Sequence, residues 1–221
     1  MPKISKPILL FIILFGVMFI IGYIENFKGV SYPLIKSDFN ISYEQQGLMV
    51  SILSFSYVLF CFIAGVLIGR LGVKRTYYAG FVFMILGLAG TFFLPGFLLV
   101  FFALFLISAS FGLFEVCSNA LASQLFIKRA ALLMSLLHFF YGAGSIFGPR
   151  AAGALASETN WRYIYILSVP MVLLFFIPSL VTRFPGSGRE IQDNISPAGS
   201  AKELQQKTGF FQALKNPLVW I

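Results

Sequence analysis

Charged residues are scarce in this sequence: Asp, Glu, Lys and Arg together make up 11% of its 221 residues, where ordinary soluble domains carry about a quarter. A chain with so little charge, 58% hydrophobic and with a mean hydropathy of +0.88, belongs in a membrane. With 1 histidine and 2 cysteines, neither a Cys/His metal site nor a disulfide framework can be assembled. Cys61 and Cys117 both lie in apolar runs and read as packing residues. The 8 acidic residues are outnumbered by 16 basic ones, for a formal charge of +8. That excess raises nucleic acid as a partner, but the basic residues fall between apolar runs without forming an aromatic-interleaved patch, which argues against it. No phosphate loop, metal site or nucleophile elbow is present, so no cofactor and no enzymatic activity is expected.

What the chain has in abundance is apolar length. A bilayer crossing takes about 20 apolar residues at 1.5 Å each. Six such runs can be traced, at about 8–35, 46–68, 77–94, 97–127, 131–156 and 161–181. The first follows Lys3 and Lys6 as a signal peptide would, but it is longer than a signal core and has no small-residue cleavage site before the next run. It reads as a span long enough to tilt. Pro95-Gly96 breaks the chain between the third and fourth spans. Trp161, Tyr163 and Tyr165 are placed for an interfacial aromatic belt. The fold class expected is an all-α membrane protein with six transmembrane helices over residues 1–183. A Gly/Ser/Pro-rich linker follows over 184–208, and a further span begins at 209–221, where Asn216-Pro217 precedes Leu218 to Ile221.

With the amino terminus inside, Lys3, Lys6, Arg70, Lys74, Arg75, Lys128, Arg129, Arg183, Arg189, Lys202, Lys207 and Lys215 fall on the cytoplasmic side, against Lys28, Lys36 and Arg162 outside. The positive-inside rule then gives a multi-pass protein of the cell membrane with a cytoplasmic amino terminus. Gly22-Tyr23-Ile24-Glu25 in the first span and Gly112-Leu113-Phe114-Glu115 in the fourth share a Gly-x-x-Glu pattern. Counted along the helices, Glu25 falls in the outer half and Glu115 in the inner half, as a three-plus-three inverted repeat requires.

Residues 111–153 place Glu115, Asn119, His138 and Arg150 in otherwise apolar sequence. An ionisable side chain at bilayer centre costs roughly 2.5 to 3.5 kcal/mol on an insertion scale, so such groups face a polar cavity or a partner. Glu115 and Asn119 are one helical turn apart and look the same way. A carboxyl moved between low dielectric and water loads and releases a proton, which makes Glu115 a coupling candidate; the alternative is a buried glutamate that only ties helices together. His138, about 12 Å deep, is either a proton relay to Glu115 or a helix-to-helix hydrogen bond. Arg150 either snorkels at the outer interface or contacts substrate, with Glu25 of the first span in reach as its ion-pair partner. Asn26 is a candidate donor to a solute hydroxyl. Gly144 and Gly148 have small-xxx-small spacing for packing on a neighbouring span, and Pro149 sets a kink.

Gly65-Val66-Leu67-Ile68-Gly69-Arg70-Leu71-Gly72-Val73-Lys74-Arg75 resembles the loop between the second and third spans of the major facilitator superfamily, G-x-L-x-D-R-x-G-R-K. Small residues there allow close helix approach, and the basic cluster anchors the turn at headgroups. Gly69 replaces the aspartate, so the inner-gate ion pair it makes in the family is in question. The run His138 to Pro149, following Glu115-x-x-x-Asn119, resembles the fucose permease group of that superfamily, proton-coupled sugar symporters. The resemblance covers the six spans and the start of the seventh, the amino-terminal half of such a transporter. It implies proton coupling at Glu115, with Glu25 and Asn26 at substrate and coupling positions. The implied partners are a small-molecule substrate, protons, the lipid bilayer and a second six-helix half. The partial G-x-x-x-G-P pattern also resembles a fifth-span motif of drug antiporters, so export stands as the alternative. A homodimeric six-span carrier and a non-transporting membrane interaction protein complete the possibilities.

Overall fold

The structure is a computed structural model that describes residues 6–125, 130–182 and 184. The expected linker beyond Phe184, the start of a seventh span, and Lys128, Arg129 and Arg183 lie outside the described residues. Eight helices are described, in the order α1 (Lys6–Glu25), α2 (Lys28–Asp38), α3 (Tyr43–Leu71), α4 (Val73–Phe93), α5 (Phe97–Leu125), α6 (Ala130–Glu158), α7 (Arg162–Ile166) and α8 (Val169–Val181). They provide 6 crossings long and apolar enough to span a bilayer, with α7 and α8 forming one of them. No strand occurs among the described residues.

Local chemistry sets the helix ends. Ser42 and Gln45 form a reciprocal capping box that starts α3. Gly72 ends α3 with φ 82°, and Gly96 turns the chain between α4 and α5 with φ 81°; both lie in the left-handed region that glycine enters without steric cost.

Two crossings expected as single helices are interrupted. The first breaks at Asn26 and Phe27, where the Asn26 side chain donates to the Gly22 carbonyl (2.8 Å) and the Phe27 amide bonds back only three residues, to Ile24. A side chain that competes for the i−4 carbonyl tightens the turn and ends the helix there. The sixth crossing breaks at Leu167 and Ser168, where the Ser168 amide likewise bonds back three residues, to Tyr165, and Pro170 then lacks an amide to continue the ladder.

α1 lies along α6, while α5 lies against both α3 and α4. Glycines make these contacts close. A Cβ on Gly144 would strike the Phe19 carbonyl of α1, and one on Gly148 the Tyr23 carbonyl. The spacing of Gly144 and Gly148 therefore brings two backbones together. Gly87 approaches the Ala103 carbonyl on α5 in the same manner. Between them Tyr77, Phe81 and Phe114 meet edge-on at 4.9 to 5.5 Å and fill the α4–α5 core. Pro149 lies inside α6, which is continuous from Ala130 to Glu158.

Two expectations change. Gly65 and Gly69 have nothing among the described residues within 4 Å of an added Cβ, so their spacing brings no described helices together; of that motif Gly72 makes the turn and Lys74 donates to the Thr182 carbonyl (3.2 Å), while Arg70 and Arg75 are exposed. The interfacial belt reduces to Tyr163, since Trp161 and Tyr165 are 5% and 2% exposed. Trp161 donates to Asp38 (3.2 Å), and Arg162 lies over its ring and donates to the Thr91 and Leu94 carbonyls at the end of α4 (2.9 Å each). An arginine at a helix carboxyl terminus satisfies orphan carbonyls and the dipole together.

Gly144→Val should lower unfolding stability by about 3 kcal/mol through overpacking against α1, whereas Gly69→Val should stay within about 0.5 kcal/mol. Thermal unfolding of the purified variants in detergent checks both.

Candidate functional site

Glu25 is the last residue of α1 and is half-buried. Its Oε2 accepts a hydrogen bond of 2.6 Å from the Tyr141 hydroxyl of α6, and its Oε1 pairs with Lys28 Nζ at 3.1 Å. Asn26 next to it donates to the Ser145 hydroxyl of α6 (2.9 Å), which in turn donates to the Tyr141 carbonyl (3.0 Å). Gly22 permits this junction, since a Cβ there would meet the Tyr141 carbonyl. The break in the first crossing is thus where its polar groups are gathered and satisfied by α6.

Glu115 is half-buried on α5, and its Oε1 accepts from Asn119 Nδ2 at 3.1 Å, the one-turn pairing expected from their spacing. The Asn119 Oδ1 is buried without a hydrogen-bond partner among the described residues. Gly112, one turn before Glu115, lets α5 approach α3 at the Tyr57 carbonyl and the Cys61 amide. The hydroxyls of Tyr57 and Tyr141 each lie within electrostatic reach of both Glu25 and Glu115. Two carboxylates on α1 and α5 and two tyrosines on α3 and α6 therefore form one polar zone in a mostly apolar bundle.

A cavity of about 200 Å³ opens beside it. Glu25, Lys28, Tyr32, Ser54, Tyr57, Ser108 and Tyr165 supply its polar lining, and Ile24, Leu53, Val58, Ile107 and Phe111 are among its apolar lining residues. At roughly 30 Å³ per water it has room for several waters or a small solute. Its lining includes Glu25 but not Asn26, Glu115, Asn119, His138 or Arg150.

The remaining candidates stand apart. His138 is exposed on α6 and makes no hydrogen bond among the described residues, so nothing joins it to Glu115. Arg150 is exposed and has no ion pair among the described residues. The expected Glu25–Arg150 pair is not formed, because Lys28 is three residues from Glu25 while Tyr141 takes the other oxygen. Tyr57, Tyr141, Ser145 and Lys28 were not singled out from sequence. Tyr57-x-x-x-Cys61 and Tyr141-x-x-x-Ser145 were the available signals, polar groups one turn apart in apolar helices. Among the described residues no group of His, Cys, Asp and Glu is arranged to hold a metal ion.

The family model described as Major Facilitator Superfamily matches residues 14–221. The chain belongs to this superfamily. It is thus a multi-pass member of a family of membrane transporters, with the six helices of that fold's inverted repeat. Protein TsgA of Salmonella schwarzengrund is 30% identical over 125 residues, which are 56% of this chain and 32% of that protein. Efflux pump roqT of Penicillium rubens is 31% identical over 97 residues, 40% of this chain and 18% of the pump. The chain matches about a third or less of the length of these relatives.

Lys28→Ala should cost less than about 1 kcal/mol, because the ion pair it removes is solvent-facing. Tyr141→Phe removes a donor to a carboxylate and should cost about 1.5 to 3 kcal/mol. Unfolding midpoints of the two variants, compared under one set of conditions, test this order.

Proposed function

We propose that these six helices are the amino-terminal half of a proton-coupled uptake transporter for a small polar solute, similar to the fucose permease group. The observation that carries the proposal is that Glu25, bonded to Tyr141, lines a cavity with a polar lining, with the half-buried Glu115 of α5 in electrostatic reach of Tyr57 and Tyr141. A carboxylate at the wall of an open cavity, as Glu25 is, or half-buried in the bundle, as Glu115 is, can take up and give back a proton as access changes. The serine and tyrosine hydroxyls of the cavity suit a solute rich in hydroxyls, and Tyr32 and Phe111 in its lining suit the apolar face of a sugar ring.

In this mechanism Glu115 and Glu25 carry the coupling proton. Asn26 and Asn119, outside the cavity lining in this conformation, meet the solute as access changes, and the six helices form one wall of a pathway that alternates by rocking against a second six-helix half. His138 and Arg150, exposed on α6, act only where that second half meets them. The protein lies in the cell membrane with its amino terminus inside. Export is the second proposal, and the likeness to a protein named as an efflux pump favours it.

Cells producing the transporter, suspended in weakly buffered medium and offered a panel of monosaccharides, should make the medium more alkaline with at least one of them. Glu115→Gln should abolish this alkalinisation and pH-driven accumulation in proteoliposomes while solute exchange is partly retained. Accumulation unchanged in Glu115→Gln would remove Glu115 from coupling. Acidification by the wild type on addition of solute would support export.

A further inference from the structure

The Gly-x-x-Glu repeat coincides with a repeat in packing. On α1, Gly22 precedes Glu25 by three residues, and a Cβ on it would meet the Tyr141 carbonyl and, at 3.1 Å, the Ser145 amide of α6. On α5, Gly112 precedes Glu115 by three residues, and a Cβ on it would meet the Tyr57 carbonyl at 2.5 Å and the Cys61 amide at 2.9 Å on α3. Each glycine therefore rests on a tyrosine followed four residues later by a small side chain that carries a hydroxyl or thiol. Residues three apart on a helix share a face, so each glutamate points back toward the helix its glycine touches.

The two units differ in one bond. In the first, the Tyr141 hydroxyl closes on Glu25 Oε2 at 2.6 Å. In the second, Glu115 Oε1 is occupied by Asn119, and no hydrogen bond from Tyr57 reaches Glu115. The Tyr57 hydroxyl faces Cys61 one turn along its own helix, and Tyr57 is 38% exposed at the cavity wall.

We infer that Tyr57 is the hydroxyl partner of Glu115, the second copy of the bond that Tyr141 makes to Glu25. Tyr57 is a positioning residue: its O–H donates to Glu115 Oε2, the oxygen Asn119 leaves free, when α3 and α5 bring them together. Asn119 on its own helix bonds Glu115, and Tyr57 and Cys61 from α3 and Tyr141 from α6 lie within its electrostatic reach. Glu25 of α1 faces the same two hydroxyls, while Tyr77 of α4 faces Ser118 and Cys117 instead. A donor hydroxyl stabilises a carboxylate and not the neutral acid. The two units therefore give the bundle two equivalent acid sites, of which the structure holds one closed and one open. This deepens the proton-coupling proposal and rests on it only in requiring that Glu115 exchange its proton.

The test needs no solute. The full chain in lipid vesicles is taken between acid and neutral pH, and its infrared difference spectrum is recorded. Loss of a carboxyl or carboxylate band in Glu115→Gln identifies Glu115, and loss of another in Glu25→Gln identifies Glu25. Tyr57→Phe, which keeps the ring, is expected to shift the frequency of the Glu115 band and leave the Glu25 band in place. Tyr141→Phe is expected to do the reverse. A Glu115 band that is present but unmoved in Tyr57→Phe overturns the Tyr57–Glu115 unit and leaves the coupling proposal standing. A wild-type spectrum with no band that Glu115→Gln removes overturns both.

Discussion

A carboxylate among apolar helices needs a donor close by, and the contact of α1 with α6 through glycine provides one for Glu25. Because Gly22, Gly144 and Gly148 carry no Cβ, the two backbones meet directly. Only at that spacing do the Tyr141 hydroxyl and the Ser145 hydroxyl reach Glu25 and Asn26. The bonding of Glu25 and the break in the first crossing both follow from this approach. A larger side chain at any of the three glycines would separate the donor from the acid as well as the helices from each other.

Much of this fold was legible in sequence because its determinants are local. Apolar runs marked the crossings, Pro95-Gly96 and Gly72 marked the turns, and Ser42 with Gln45 gave a cap readable three residues apart. The interruption at Asn26 was not legible. An asparagine side chain that takes the carbonyl of Gly22 ends a helix only if a neighbour such as Ser145 holds it there. Trp161 and Tyr165 were misplaced for a related reason. Aromatics at the end of a span look alike whether they meet lipid headgroups or, as here, Asp38, Ser31 and Phe27. Gly65 and Gly69 show the converse: a small-residue spacing says that helices can approach, and only packing says whether they do.

The candidate site divides along the same line. Glu115 with Asn119 is a contact four residues apart on one helix, and its spacing alone predicted the bond that is present. The partner of Glu25 lies 116 residues away on α6, and no local pattern ranks Tyr141 above Arg150, which lies on the same helix. The choice depends on which face of α6 the glycines press against α1. Lys28 was overlooked because it was counted as a topology signal, although a lysine three residues after a glutamate is also its nearest ion-pair partner.

The distribution of burial suggests how such a pair of acid sites could work. α1 and α5, which carry the two glutamates, bury 50% and 56% of their crossing segments, while α3 and α6, which carry the two tyrosines, bury 17% and 22%. The acids thus sit on the helices most enclosed by the described bundle and the donors on those least enclosed. The Tyr141 hydroxyl on α6 closes on Glu25, whereas no hydrogen bond from Tyr57 on α3 reaches Glu115. Since one hydrogen bond to a charged group is worth about 1.5 to 3 kcal/mol, making or breaking it changes the balance between proton-bound and proton-free forms by roughly ten- to a hundredfold. That range matches the coupling free energies of about 1 to 3 kcal/mol by which two sites in one protein commonly influence each other. Under the proton-coupling proposal, one hydrogen bond made or broken at Glu115 is therefore large enough to link the position of α3 to proton occupancy.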